Sequence, residues 1–165
     1  MPNPRRDAET IAATLRAVGF ETVELDGDLT RETMMKALRD FAELADKADW
    51  ALIYFAGHGI EIGGVNYLVP IDAKLSIDRD AQFEAVPLDQ VLGAIDGAHK
   101  LILLDACREN PFAPRQTTAT RNVTRGLAPI EPEGPSRGKG ATLVVYAAKH
   151  GQVRARWRHG EYAIE

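Results

Sequence analysis

Apolar positions at Ala8, Ile11, Ala12, Leu15 and Val18 recur with helical spacing, and Asp7 stands where a capping carboxylate would accept the first free amides. Gly19 follows where a left-handed residue would end the turn, so a helix is predicted over residues 7–18. Residues 21–25 read as a short strand, Asp26-Gly27-Asp28 as a turn, and Thr30 as the cap of a second helix carrying Met34, Leu38, Phe41 and Ala45 on one face. Residues 50–56 are apolar without alternation, the pattern of a strand covered on both faces in a parallel sheet. Beyond Gly57-His58-Gly59, two short strand patterns flank Gly63-Gly64 and predict a hairpin. Leu88, Val91, Leu92 and Ile95 form a third helical face behind Pro87. Residues 100–104 form a second buried strand that runs into Asp105-Ala106-Cys107. Residues 108–140 show no periodicity but hold Pro111, Pro114, Gly126, Pro129, Pro132 and Gly134, which predicts a long flexible loop before a last strand at 142–147. The alternation of helix and strand predicts a layered α/β fold with a mainly parallel sheet.

Composition narrows the class. At 165 residues, 45% apolar and 27% charged, the chain is sized for one globular domain. Its longest apolar run, residues 50–56, is far short of the roughly 20 residues of a membrane helix, and no apolar segment follows the basic N-terminus as in a secretion signal. A cytoplasmic chain without a membrane contact is expected. The single cysteine excludes an internal disulfide, and His58, His99, His150 and His159 share no metal-ligand spacing with it, so neither metal nor cofactor is expected. Residues 1–107 carry 10 Lys/Arg against 19 Asp/Glu, whereas residues 108–165 carry 10 against 5. The acidic body thus ends in a basic tail. Its arginines are interleaved with Pro, Thr and Gly and have few aromatic neighbours, which weighs against nucleic-acid binding.

Candidate chemistry sits beyond the strand ends, where loops of an open α/β sheet converge. His58 and Cys107 both follow apolar strands. If those strands are parallel neighbours about 4.8 Å apart, the imidazole and the thiol share one cleft. A histidine beside a cysteine favours the thiolate and can protonate a leaving amine, which is the chemistry of a cysteine peptidase. Gly57 and Gly59 let a substrate backbone approach, and the Gly59 and Cys107 amides can face a developing oxyanion. Taken singly, such a cysteine is most often a small buried hydrophobe and such a histidine a structural side chain. In an extended segment residues 105 and 107 point to one side, which sets the Asp105 carboxylate beside the thiol, able to pair with Arg or Lys.

With their flanks, Tyr54-Phe55-Ala56-Gly57-His58-Gly59 and Leu103-Leu104-Asp105-Ala106-Cys107-Arg108 resemble the two signatures of the caspase-like cysteine peptidases, closest to the bacterial metacaspase-like or orthocaspase branch. The interval of 49 positions from His58 to Cys107 matches the family interval of roughly 50. The likeness runs on through Asn3-Pro4, Asp7-Ala8, residues 67–73 and Asn110-Pro111-Phe112. It implies a three-layer caspase-like fold, a p20-type domain over residues 1–165, and an endopeptidase with Cys107 as nucleophile, His58 as acid and base and Gly59 as oxyanion donor. It further implies that Asp105, with Asp7 as a second wall, reads an Arg or Lys of a protein substrate. An enzyme of that specificity meets Arg115, Arg121, Arg125, Arg137 and Lys139 of its own loop, which makes residues 115–139 a target for self-processing, against the plainer reading that the loop is only a flexible cover over the cleft. Metacaspases often have serine where this chain has Ala56.

Two departures from the family are expected to matter. Its members begin with a hydrophobic strand that lies between the strands matching residues 21–25 and 50–56, and they continue past the position of Glu165. The resemblance therefore implies a domain truncated at both ends. A catalytically silent caspase-like fragment acting as an interaction module is the competing reading, favoured by the missing strand and opposed by the intact dyad. A nucleotide-binding domain is a remote third: residues 134–140 mimic a phosphate loop but end in Gly and precede a strand rather than follow one.

Overall fold

The computed structural model describes residues 4–95, 99–107, 123–124, 127, 141–147 and 153–156. Its strands are β1 (Trp50–Ile62), β2 (Val65–Val69), β3 (Val86–Pro87), β4 (His99–Cys107), β5 (Val123–Thr124), β6 (Thr142–Ala147) and β7 (Val153–Arg156). They form one mixed sheet in the order β3-β2-β1-β4-β6-β7, with β5 paired to β1 off that path. The centre, β1-β4-β6, is parallel, and β2, β3, β5 and β7 join it antiparallel. Helices α1 (Pro4–Ala17), α2 (Arg31–Ala45), α3 (Ala81–Glu84) and α4 (Leu88–Ala94) complete the α/β architecture. No helix among the described residues is long and apolar enough to cross a membrane.

Local chemistry explains most boundaries. Helix α1 starts at Pro4, whose fixed φ and missing N–H suit the first helical turn. Asp7 therefore lies in the first turn and is not the cap expected from sequence. At the other end, Phe20 N–H donates to the Leu15 carbonyl and Gly19 N–H to that of Arg16, with Gly19 at φ +100°, the paired stop that only glycine adopts without strain. Thr30 caps α2 by accepting from the Thr33 amide at 3.3 Å, and Asp72 Oδ1 accepts from the Arg31 amide at 2.9 Å. The β1–β2 hairpin turns through Gly63 (φ +61°) and Gly64 (φ +86°), whose amide donates to the buried Glu61 Oε1 at 2.6 Å.

The main core lies on one face of the sheet. Ile53 and Phe55 of β1, Ile102 and Leu104 of β4 and Val144 of β6 pack there against Met34, Leu38 and Phe41 of α2 and against Leu88 and Val91 of α4. A second cluster, built on Ile60, Tyr67, Val69 and Leu75, fills the space under the hairpin.

The strand expected at residues 21–25 is absent. That segment has no regular structure, and the Val23 carbonyl accepts from Arg16 Nη2 at 2.9 Å instead of from a ladder partner. The reason lies in its surroundings. The edge of β1 that faces away from β4 pairs with β2 only from His58 onward, so no described residue pairs with it over residues 50–57. A cleft of about 1750 Å³ separates that edge from residues 21–25, and α1 and α2 line its sides. A strand needs a ladder partner within about 4.8 Å, and residues 21–25 have none.

Of the long loop, only residues 123–124 and 127 are described. Sequence patterning missed β5, a two-residue strand too short to show alternation, and β7 as well.

Candidate active site

β1 and β4 run in parallel register from Trp50 opposite His99 to His58 opposite Cys107, so the two residues singled out from sequence are direct Cα partners on adjacent strands. The pairing follows from length: each apolar run extends without a break into its polar signature, and the ladder continues until both signatures are side by side. Strand β1 does not stop at Ala56 as its apolar run does but continues through Gly57-His58-Gly59 into the hairpin. His58 is exposed at this end of the sheet.

Gly59 is buried, and the space a Cβ would occupy there is taken by the Leu127 side chain at 2.8 Å and by Ala106 Cβ at 3.1 Å. A side chain at this position has no room, which is the physical reason for glycine. On the β4 side of β1, pairing with β4 ends at His58 and pairing with β5 begins at Glu61. Among the described residues, none pairs with Gly59 or Ile60 on that edge.

Asp105 is opposite Ala56, two ladder positions before the His58–Cys107 pair and on the same face as Tyr54 and His58. Its Oδ2 accepts from the Tyr54 hydroxyl at 3.3 Å. Burial pushes the Tyr54 phenol up to about 12, helped by the charge of Asp105, by this hydrogen bond and by the charge of Asp7. Asp7, exposed on α1, thus acts on the same spot through its field. The structure brings His58, Gly59 and Asp105 together around the end of β4 and sets Asp7 at the margin. Tyr54 was missed from sequence, although it shares strand parity with His58 and stands diagonally across from Asp105 once the two signatures are aligned. Among the described residues, no group of three His, Cys, Asp or Glu could hold a metal ion.

A parallel three-strand centre packed against helices, with a histidine and a cysteine as paired residues on adjacent strands, defines an α/β domain of the layered class. The comparisons agree. The caspase-domain family profile matches residues 1–163, and the chain belongs to this family. It is similar to the mucosa-associated lymphoid tissue lymphoma translocation protein 1 of Homo sapiens, 31% identical over 106 residues. The Mus musculus homologue of that protein matches equally. The match covers 64% of this chain but 13% of either relative, so the chain spans a small part of the curated proteins it matches.

Proposed function

We propose that this chain is a cysteine endopeptidase domain that cuts peptide bonds after arginine or lysine. The observation that carries the reading is the register: Cys107 and His58 are Cα partners at the end of adjacent parallel strands. In the proposed cycle the Cys107 thiolate attacks the scissile carbonyl carbon, and the electron pair displaced onto oxygen is met by the Cys107 and Gly59 amides. His58 holds the thiol's proton as imidazolium and delivers it to the leaving amine as the C–N bond breaks. It then takes a proton from the water that hydrolyses the thioester, regenerating the thiol. Gly59 takes the oxyanion role in this reading because it directly follows His58, where the pairing of β1 with β4 ends. Asp105, with Asp7 behind it, supplies the negative charge for the basic side chain.

The metacaspase-like or orthocaspase branch fits the aspartate two residues before the cysteine. The competing reading, an inactive interaction module, draws on the unpaired edge of β1. Turnover decides between them. Cys107→Ala abolishes cleavage of a fluorogenic arginyl peptide, and His58→Ala lowers it by about 10²–10⁴. Both leave the melting temperature nearly unchanged, since His58 is exposed and the site lies at the sheet's end. Wild-type rates in either variant end the assignment, and failure of the unsubstituted chain to cut the peptide or react with an arginyl thiol-directed probe favours the interaction module.

A further inference from the structure

Resting on the basic specificity proposed above, we propose that Tyr54 is the positioning residue of the pocket, its hydroxyl holding the Asp105 carboxylate in the orientation that a guanidinium requires and so favouring arginine over lysine. Tyr54 is opposite Leu103, and Asp105 is opposite Ala56, so the hydroxyl reaches the carboxylate diagonally across the strand pair. Ala56, the residue directly facing Asp105, has neither a polar atom to compete for the carboxylate nor the bulk to block that diagonal. The donor therefore comes from two residues upstream.

The bond engages Oδ2 at 3.3 Å and so restricts the rotation of the carboxylate. A carboxylate retains lone pairs on both oxygens after accepting one hydrogen bond, so a second donor can still be received. Orientation then matters unequally for the two basic side chains. A guanidinium gains from two parallel N–H···O bonds only when the carboxylate plane meets its fork, whereas an ammonium is a point charge that one oxygen satisfies at any angle. Tyr54 remains a neutral donor throughout the working range, because burial first, and then the charges of Asp105 and Asp7, hold its proton until about pH 12.

The test uses Tyr54→Phe, which keeps the ring and removes only the hydroxyl. In a Cys107→Ala background, binding of agmatine, a guanidinium probe, and of cadaverine, an ammonium probe, is followed by NMR titration. Tyr54→Phe weakens agmatine about tenfold and cadaverine much less, a size that fits the loss of one hydrogen bond to a charged group. In the turnover assay the same substitution raises KM for arginyl peptides by a similar factor and leaves kcat nearly unchanged. Weakened agmatine binding with no turnover in any variant sinks the endopeptidase reading and keeps this one. Normal turnover with an unchanged KM in Tyr54→Phe does the reverse. Should Tyr54→Phe melt early, Asp105→Ala decides: with the carboxylate's charge and its hydrogen bond gone and only burial left, the tyrosinate transition assigned to Tyr54 moves down, and an unmoved transition overturns the proposal.

Discussion

At the scale of single residues, charge and room decide what the proposed site accepts. A carboxylate that faces a partly desolvated pocket discriminates strongly by sign, because a substrate acid would be buried beside it without a partner. Asp105 is half-buried and hydrogen-bonded, and Asp7 adds a second negative charge nearby. A peptide library incubated with the active chain is thus expected to show cleavage after Arg and Lys and none after Asp. Asp105→Asn removes most of that preference while the dyad stays in place. A library profile dominated by acidic residues contradicts the assignment. These residues were legible in the sequence because each stands within a signature of small and apolar neighbours. Tyr54 was not, since a tyrosine in an apolar strand reads as core until the register shows what faces it.

At the scale of elements, β5 and Leu127 matter most. Thr124 is paired with Glu61, three residues past His58, and Leu127 packs against Gly59, the neighbour of the proposed catalytic His58. Arg125 comes between these two anchors in the sequence and itself lies outside the described residues. A peptidase that cuts after basic residues meets this stretch of its own chain at high effective concentration. Incubation of the unsubstituted chain is expected to yield fragments ending at Arg125 or at the neighbouring Arg115, Arg121, Arg137 or Lys139. The Cys107→Ala chain yields none, as mass spectrometry can show. An intact loop in a demonstrably active preparation rules self-processing out. The sequence marked residues 108–140 as a loop by their lack of periodicity, but two anchored residues and one packed leucine leave no periodic trace.

For the whole molecule, the notable feature is the edge of β1 that no described residue pairs with over residues 50–57, and the cleft beside it. Val18, Leu25, Leu44 and Trp50 all line that cleft and are exposed, Val18 by 68% and Trp50 by 57%. Exposed apolar side chains next to unsatisfied strand amides destabilise a domain and invite association through that edge. An extended apolar strand of about seven residues, joined ahead of Met1 by a short linker, is expected to pair with β1 over residues 50–57 and cover these side chains. Each large side chain so covered contributes about 1.5–3 kcal/mol at full burial, and a domain of this size gains about 2–4 °C in melting temperature per kcal/mol. Calorimetry should show a sharper transition several degrees higher, with less self-association by sedimentation. An unchanged, monomeric melt would mean that the edge is already covered.

What the sequence alone determined was every element with enough local signal of its own. Helical spacing marked α1, α2 and α4, unbroken apolar runs marked β1, β4 and β6, and the Gly63-Gly64 pair marked the hairpin turn. The two signatures carried His58, Gly59, Asp105 and Cys107 with them, because their chemistry is written in adjacent residues. What only the tertiary structure decided was pairing. Residues 21–25 have the composition of a strand yet form none, since a strand is stabilised by a neighbour's amides and carbonyls and this one faces a cleft. The reach of Tyr54 to Asp105 and the packing of Leu127 on Gly59 depend in the same way on which residues come opposite each other. Register between distant segments is a property of the assembled sheet, set by the packing of both faces at once.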